Sequence, residues 1–155
     1  MEAVCYTLEL ALEKAIEGEQ HSFDVYRRAM KKVKDPQAKR LVRDLALEEL
    51  EHRYILEKAL VGETATLHDK AEATGPSMNL TYFLKEKTLD ENSSAQDVMI
   101  YAIHDEKRTI EFYDQMSSQC QGAPMAELFS KLKQQETVHL TKLEEAYEKA
   151  YLSQM

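Results

Sequence analysis

Little in this chain would break a helix. Its 155 residues include only four glycines and three prolines, the two residues that helix interiors tolerate least, so the expected fold is all-α. Cysteine is scarce too. Cys5 and Cys120 are the only two, with no Cys-x-x-Cys spacing, which excludes a disulfide framework and a cysteine-held zinc or iron site. No apolar run approaches the roughly 18 residues needed to span a bilayer, so no membrane partner is expected. Positive charge is in short supply, with 20 Lys and Arg against 28 Asp and Glu and a net charge of -8. That balance argues against a nucleic-acid partner, whose phosphates it would repel. The start, Met1-Glu2-Ala3-Val4, lacks the basic region of a signal peptide, and a cytoplasmic protein is the expectation. At this length residues 1–155 form one domain that buries a real core.

Periodicity supplies four long helices. The first is expected over residues 3–34, with Leu8, Leu12, Ala15, Ile16, Phe23, Tyr26, Met30 and Val33 on one stripe. Asp35-Pro36 ends it and starts the second, Asp as N-cap and Pro as first helical residue. The second runs to about residue 61, where Gly62 stops it. Residues 62–93 form a crossover, with a loop at Gly75-Pro76-Ser77 and a short amphipathic helix over Asn79–Lys87 that puts Leu80, Phe83 and Leu84 on one side. Ser94 and Asp97 resemble a capping box that opens the third helix. Gly122-Ala123-Pro124 turns the chain into the fourth, so that residues 3–61 and 94–152 make two antiparallel hairpins. A crossover of this length can travel the whole bundle. It makes the second and third helices parallel, the connectivity of a ferritin-like four-helix bundle.

The two hairpins are also repeats of each other. At an offset of 87 residues, without a gap, Ala15 matches Ala102, Ile16 matches Ile103, Glu19 matches Glu106 and Tyr26 matches Tyr113. The match continues through Leu41/Leu128, Leu45/Leu132, Glu49/Glu136, His52/His139 and Leu56/Leu143. Each repeat carries one Glu and one Glu-x-x-His pair, and two such sets are the ligands of a dinuclear metal site in a four-helix bundle. Heights agree with that reading. Glu19 lies 16 residues before Asp35 and Glu49 lies 14 after it, which puts both about 21–24 Å from the first turn. Glu106 and Glu136 flank the second turn in the same way. All six share the apolar stripes, where ionised carboxylates are costly unless paired or bound to metal. Four Glu charges balance two divalent ions. Glu19, Glu49, His52, Glu106, Glu136 and His139 are therefore the expected ligands of two metal ions, and the donors suit two iron ions, two manganese ions or a mixed pair alike.

Tyr26 and Tyr113 each follow a candidate Glu by seven residues, on the same helix face, and are expected to donate hydrogen bonds to the carboxylates or to supply protons. His21 and His104 stand two residues from a candidate Glu, about 200° around the helix, and His68 lies in the crossover; all three are expected to be solvated. Cys5 precedes Glu19 by 14 residues and Cys120 follows Glu106 by 14, which sets both at one end of the bundle. In a reducing cytoplasm they are nevertheless expected as free thiols.

These residues, from Gly18-Glu19 to Tyr26, Glu49-Leu50-Glu51-His52, Asp105-Glu106 to Tyr113, and Glu136-Thr137-Val138-His139, resemble the rubrerythrin-like branch of the ferritin-like superfamily over nearly the whole chain. The resemblance implies a di-iron site in which Glu49 and Glu136 bridge the metals. Glu19 and His52 would complete one ion, and Glu106 and His139 the other. It also implies a homodimer or larger homo-oligomer. The chain departs from that pattern in two respects. Rubrerythrins carry a rubredoxin-like domain with cysteine pairs, whereas this sequence reaches Met155 without one, so a separate rubredoxin-like protein is expected as electron donor. They also place a further Glu one turn after the third-helix Glu, at the position of Thr109. Three functions follow as alternatives: a redox enzyme acting on hydrogen peroxide or dioxygen, a ferroxidase or iron store, and a helical interaction module whose metal site is structural or vestigial.

Overall fold

The computed structural model describes residues 5–62 and 77–152. His68 and Gly75-Pro76 lie outside the described residues; the first helix starts at Leu8 and not at residue 3, since the described Cys5, Tyr6 and Thr7 are not helical. Four long helices carry the fold: α1 Leu8–Lys32, α2 Pro36–Leu60, α3 Ala95–Gln119 and α4 Pro124–Tyr147, the last running on into a π-helical turn over Glu148–Leu152. Among the described residues there is no strand, and no helix is long and apolar enough to cross a membrane.

Local chemistry sets the helix ends. α1 begins at Leu8 because the Thr7 hydroxyl accepts a bond from the Leu10 amide at 3.2 Å. α2 opens on Asp35, whose carboxylate accepts from the Ala38 amide at 2.9 Å, followed by Pro36. Both halves of the Ser94/Asp97 capping box are formed at the start of α3. Gly62 and Gly122 turn the chain at φ 97° and 89°, left-handed backbone that glycine adopts without a steric cost.

Packing fixes the topology. At one end Ala11, Leu12 and Ala15 of α1 pack with Leu56 and Ala59 of α2, Tyr113 of α3, and Met125, Leu128, Phe129 and Leu132 of α4. At the other end Tyr26, Ala29, Ala38, Val42, Ala95, Val98 and Ala102 form a second cluster. The end of α2 thus lies with the end of α3, and the two helices run parallel, as the ferritin-like reading requires. The small residues Ala38, Val42, Ala95 and Val98 are buried where α2 and α3 approach each other.

Three further expectations are corrected. Cys5 and Cys120 are not free thiols; they form a disulfide with their Cα atoms 5.6 Å apart. The heights read from the sequence had already set them at one end. The argument for free thiols concerned the compartment, whereas the pairing is decided by the proximity that the packing imposes. The amphipathic helix expected over Asn79–Lys87 is a single 3-10 turn at Leu80–Tyr82. Asn79 is left-handed (φ 53°); the Tyr82, Phe83 and Leu84 amides bond back to Asn79 and Leu80 within the turn, and the bundle supplies further partners. The Glu144 carboxylate, 1% exposed, accepts from Ser77 Oγ at 3.0 Å and from the Met78 and Leu80 amides, both at 3.2 Å. His104 Nε2 meets the Leu84 carbonyl at 2.6 Å, so this histidine ties the crossover to α3 and is not simply solvated. Arg108 pairs with Glu86 at 2.8 Å.

Cys5→Ser is expected to lower stability by about 2–4 kcal/mol, since the cross-link closes a long loop. Urea unfolding without reductant measures it, and the intact mass of the unreduced native chain should be two hydrogens below the reduced value. Glu144→Ala leaves two amides of the crossover without their acceptor, at a cost of about 2–3 kcal/mol; hydrogen exchange should rise selectively over residues 77–84.

Candidate metal centre

Between the two apolar clusters lies a polar layer. Glu19 from α1, Glu49 from α2, Glu106 from α3 and Glu136 from α4 are each at most 7% exposed. The repeat is responsible: each helix carries one carboxylate at mid-height on the face that packing turns inward. His52 and His139 stand one helical turn after Glu49 and Glu136 and stack face to face, ring centres 4.4 Å apart and planes 3° from parallel. His52 Nδ1 lies 3.5 Å from Glu19, 3.6 Å from Glu136 and 3.9 Å from Glu49. His139 Nδ1 lies 3.2 Å from Glu136.

Two groups of donor atoms converge closely enough to hold an ion, Glu19/Glu49/His52 and His52/Glu136/His139, each within 4.8 Å. Five of the six sequence-derived candidates fall in these groups. Glu106 is in neither, but it belongs to the same layer and bonds with Glu136. The donor set fits metal on a further observation. Glu106 Oε2 and His52 Nδ1 are buried and have no hydrogen-bond partner, an expensive state for polar atoms that coordination would relieve.

The electrostatics point the same way. Burial, and then the bond and charge of Glu19, push Glu49 up to about 11. Burial raises Glu19 to about 8, against the lowering bond to Glu49. Burial and the Glu136 charge drive Glu106 well above the usual carboxylate range. Burial pushes Glu136 upward as well, but bonds from His139 and Glu106 and the His52 charge outweigh it and bring it down to about 2. In the metal-free layer burial therefore favours a proton over a charge on Glu19, Glu49 and Glu106, and cations would take the place of the protons.

The two tyrosines lie on either side of the layer. Tyr113 is 2% exposed and packs on Phe129 with ring centres 5.6 Å apart. Burial, then the charges of Glu19, Glu136, Glu106 and Glu49, raise its hydroxyl well above the ordinary value. Tyr26 is raised by burial and then by Asp105, and its hydroxyl donates to Asp105 Oδ2 at 3.4 Å, not to one of the six candidates. Ser22 Oγ donates to the same oxygen at 2.9 Å. Asp105, 7% exposed, is the residue to which the sequence reading assigned no role. A signal was present. At the 87-residue offset Asp105 matches Gly18, so a carboxylate stands in one repeat where the other has no side chain. His21 is exposed, as expected.

The rubrerythrin family model matches residues 11–147. The chain belongs to the rubrerythrin family. No curated protein and no solved structure matches it. Family membership carries with it iron binding by a ferritin-like bundle, and the convergent carboxylates and imidazoles of this rubrerythrin domain are groups that can hold metal.

The raised carboxylates have a consequence for stability. Unfolded glutamates titrate near 4.5, whereas folded Glu19 titrates at about 8 and Glu49 at about 11. Above 4.5 the folded chain keeps protons that the unfolded chain releases, so stability falls as pH rises, Glu19's share growing until about 8. Glu136, depressed, contributes the opposite slope only below 4.5. The melting temperature of metal-free protein should therefore fall between about pH 5 and about pH 8, and saturating manganous ion should raise it most at the higher pH. Scanning calorimetry across that range checks both.

Proposed function

We propose that this chain is a di-iron redox protein that reduces hydrogen peroxide or dioxygen with electrons from a separate donor protein. The observation that carries the reading is the pair of donor groups sharing His52 in one layer, its carboxylates buried and its imidazoles partly exposed. In this reading Glu19, Glu49, His52, Glu106, Glu136 and His139 would hold the iron pair between them. When bound, the iron pair supplies two electrons and a Lewis-acidic seat for an O–O bond. The protein's part is to hold the ligands in register, keep bulk water out of the layer and keep Tyr113 as a protonated hydroxyl beside the four carboxylates. The two apolar clusters above and below the layer support that exclusion of water.

An anaerobic ferrous titration is the direct test. About two irons per chain should remain after desalting, and the loaded protein should react with peroxide faster than free ferrous ion does. Glu49→Ala with Glu136→Ala should abolish both retention and reaction. Retention of far more than two irons per chain after aeration would replace this reading with iron storage, and a double variant that behaves as the parent would remove the site altogether.

A further inference from the structure

Beside the carboxylate layer, on the seam between α1 and α3, the surface opens into a cleft of about 290 Å³. Its walls come in pairs related by the 87-residue repeat: Gly18 with Asp105, His21 with Arg108, and Ser22 with Thr109. The six metal-ligand candidates are identical across the repeat, Glu for Glu and His for His, whereas these positions differ at every pair. The symmetry that the layer keeps is lost at the cleft.

Gly18 is the most informative of them. It lies inside α1, where glycine costs helix stability relative to alanine. Its backbone is not left-handed, and an added Cβ would meet nothing within 4 Å. Neither conformation nor packing asks for glycine here; what its missing side chain leaves is room in the cleft. Tyr113 reaches both places, lining the cleft while standing within the field of all four carboxylates.

The size and chemistry of the cleft limit its occupant. Hydrogen peroxide or dioxygen needs far less space. A cavity of about 150 Å³ already accepts benzene. The Arg108 charge at the rim is answered by Glu86 at 2.8 Å and Asp105 at 3.7 Å, so no anionic head is called for. Ala15, Phe112 and Tyr113 add apolar wall. The hydroxyls of Ser22 and Thr109 already donate, to the Asp105 carboxylate and the Asp105 carbonyl, so neither spares a proton for an anion.

We infer that the α1/α3 cleft seats the organic half of a small, uncharged organic hydroperoxide. The inference rests on the peroxide-reducing reading above and names a substrate class for it. Reduction breaks the O–O bond and consumes two electrons and two protons, giving the alcohol and water. The two electrons would come from the iron pair of that reading, restored by the separate donor protein, and the two protons from solvent.

The probe is 2-phenyl-2-propanol, the alcohol left by cumene hydroperoxide, titrated into the full chain and followed by amide NMR. Saturable shifts centred on Gly18 and Thr109 are expected. Gly18→Leu, which fills the cleft, should weaken binding at least tenfold, while Gly18→Ala should fold, melt higher and still bind. In iron-loaded protein Gly18→Leu should lower the rate with cumene hydroperoxide relative to that with hydrogen peroxide by a similar factor. Shifts that never saturate, lie elsewhere or persist unchanged in Gly18→Leu would overturn the cleft assignment and leave the peroxide reading standing. Saturable cleft binding in a loaded protein that reacts with neither peroxide would overturn the peroxide reading instead, and with it the hydroperoxide as substrate.

Discussion

Four glutamates in one buried layer are the constraint around which the bundle is arranged. A carboxylate loses its hydration when it enters an apolar interior, and here each of four helices carries one to the same height. The interior is accordingly divided, with one apolar cluster around Phe129 and Met125, one around Val42 and Val98 and the polar layer between them, and a third cluster around Ile103, Leu140 and Tyr147. Burial favours a proton on Glu19, Glu49 and Glu106, while bonds from His139 and Glu106 favour the ionised form of Glu136. The fold tolerates this because the layer is shared: each group that is poorly placed alone finds another group of the same layer within reach.

That arrangement was largely legible before any coordinates. Apolar spacing and the caps at Asp35-Pro36 and Ser94/Asp97 mark the helix ends, since capping is a local matter of a side chain and the next few amides. The repeat marks the heights, because rise per residue is nearly constant along a helix. Together they place Glu19, Glu49, His52, Glu106, Glu136 and His139 in one slab without knowledge of any tertiary contact. The stacking of the two imidazoles was not legible in this way, since it depends on how closely α2 and α4 approach.

The misreadings share a cause. The segment after Asn79 has a helical pattern of apolar residues, but pattern cannot reveal that Asn79 is left-handed or that Glu144, 64 residues away from Leu80, accepts from the Leu80 amide. His104 looked idle because only its position around its own helix was known, and its partner is a carbonyl of the crossover. Asp105 was overshadowed by the adjacent Glu106, although it joins Ser22 and Tyr26 of α1 to α3. In each case the deciding partner is distant in sequence, and a residue's own neighbours carry no trace of it.

The disulfide divides the chain unevenly. Its ends are 115 residues apart, and the covalent ring so closed contains α1, α2, the crossover and α3. α4 begins only four residues past Cys120 and stands outside the ring. Glu19, Glu49, His52 and Glu106 thus belong to a tethered loop, while Glu136 and His139 arrive on a free arm. Whatever loosens the bundle while that bond is intact, the arm can peel away from the loop, taking one imidazole and one carboxylate with it. Docking of that arm is then the event that completes the donor set.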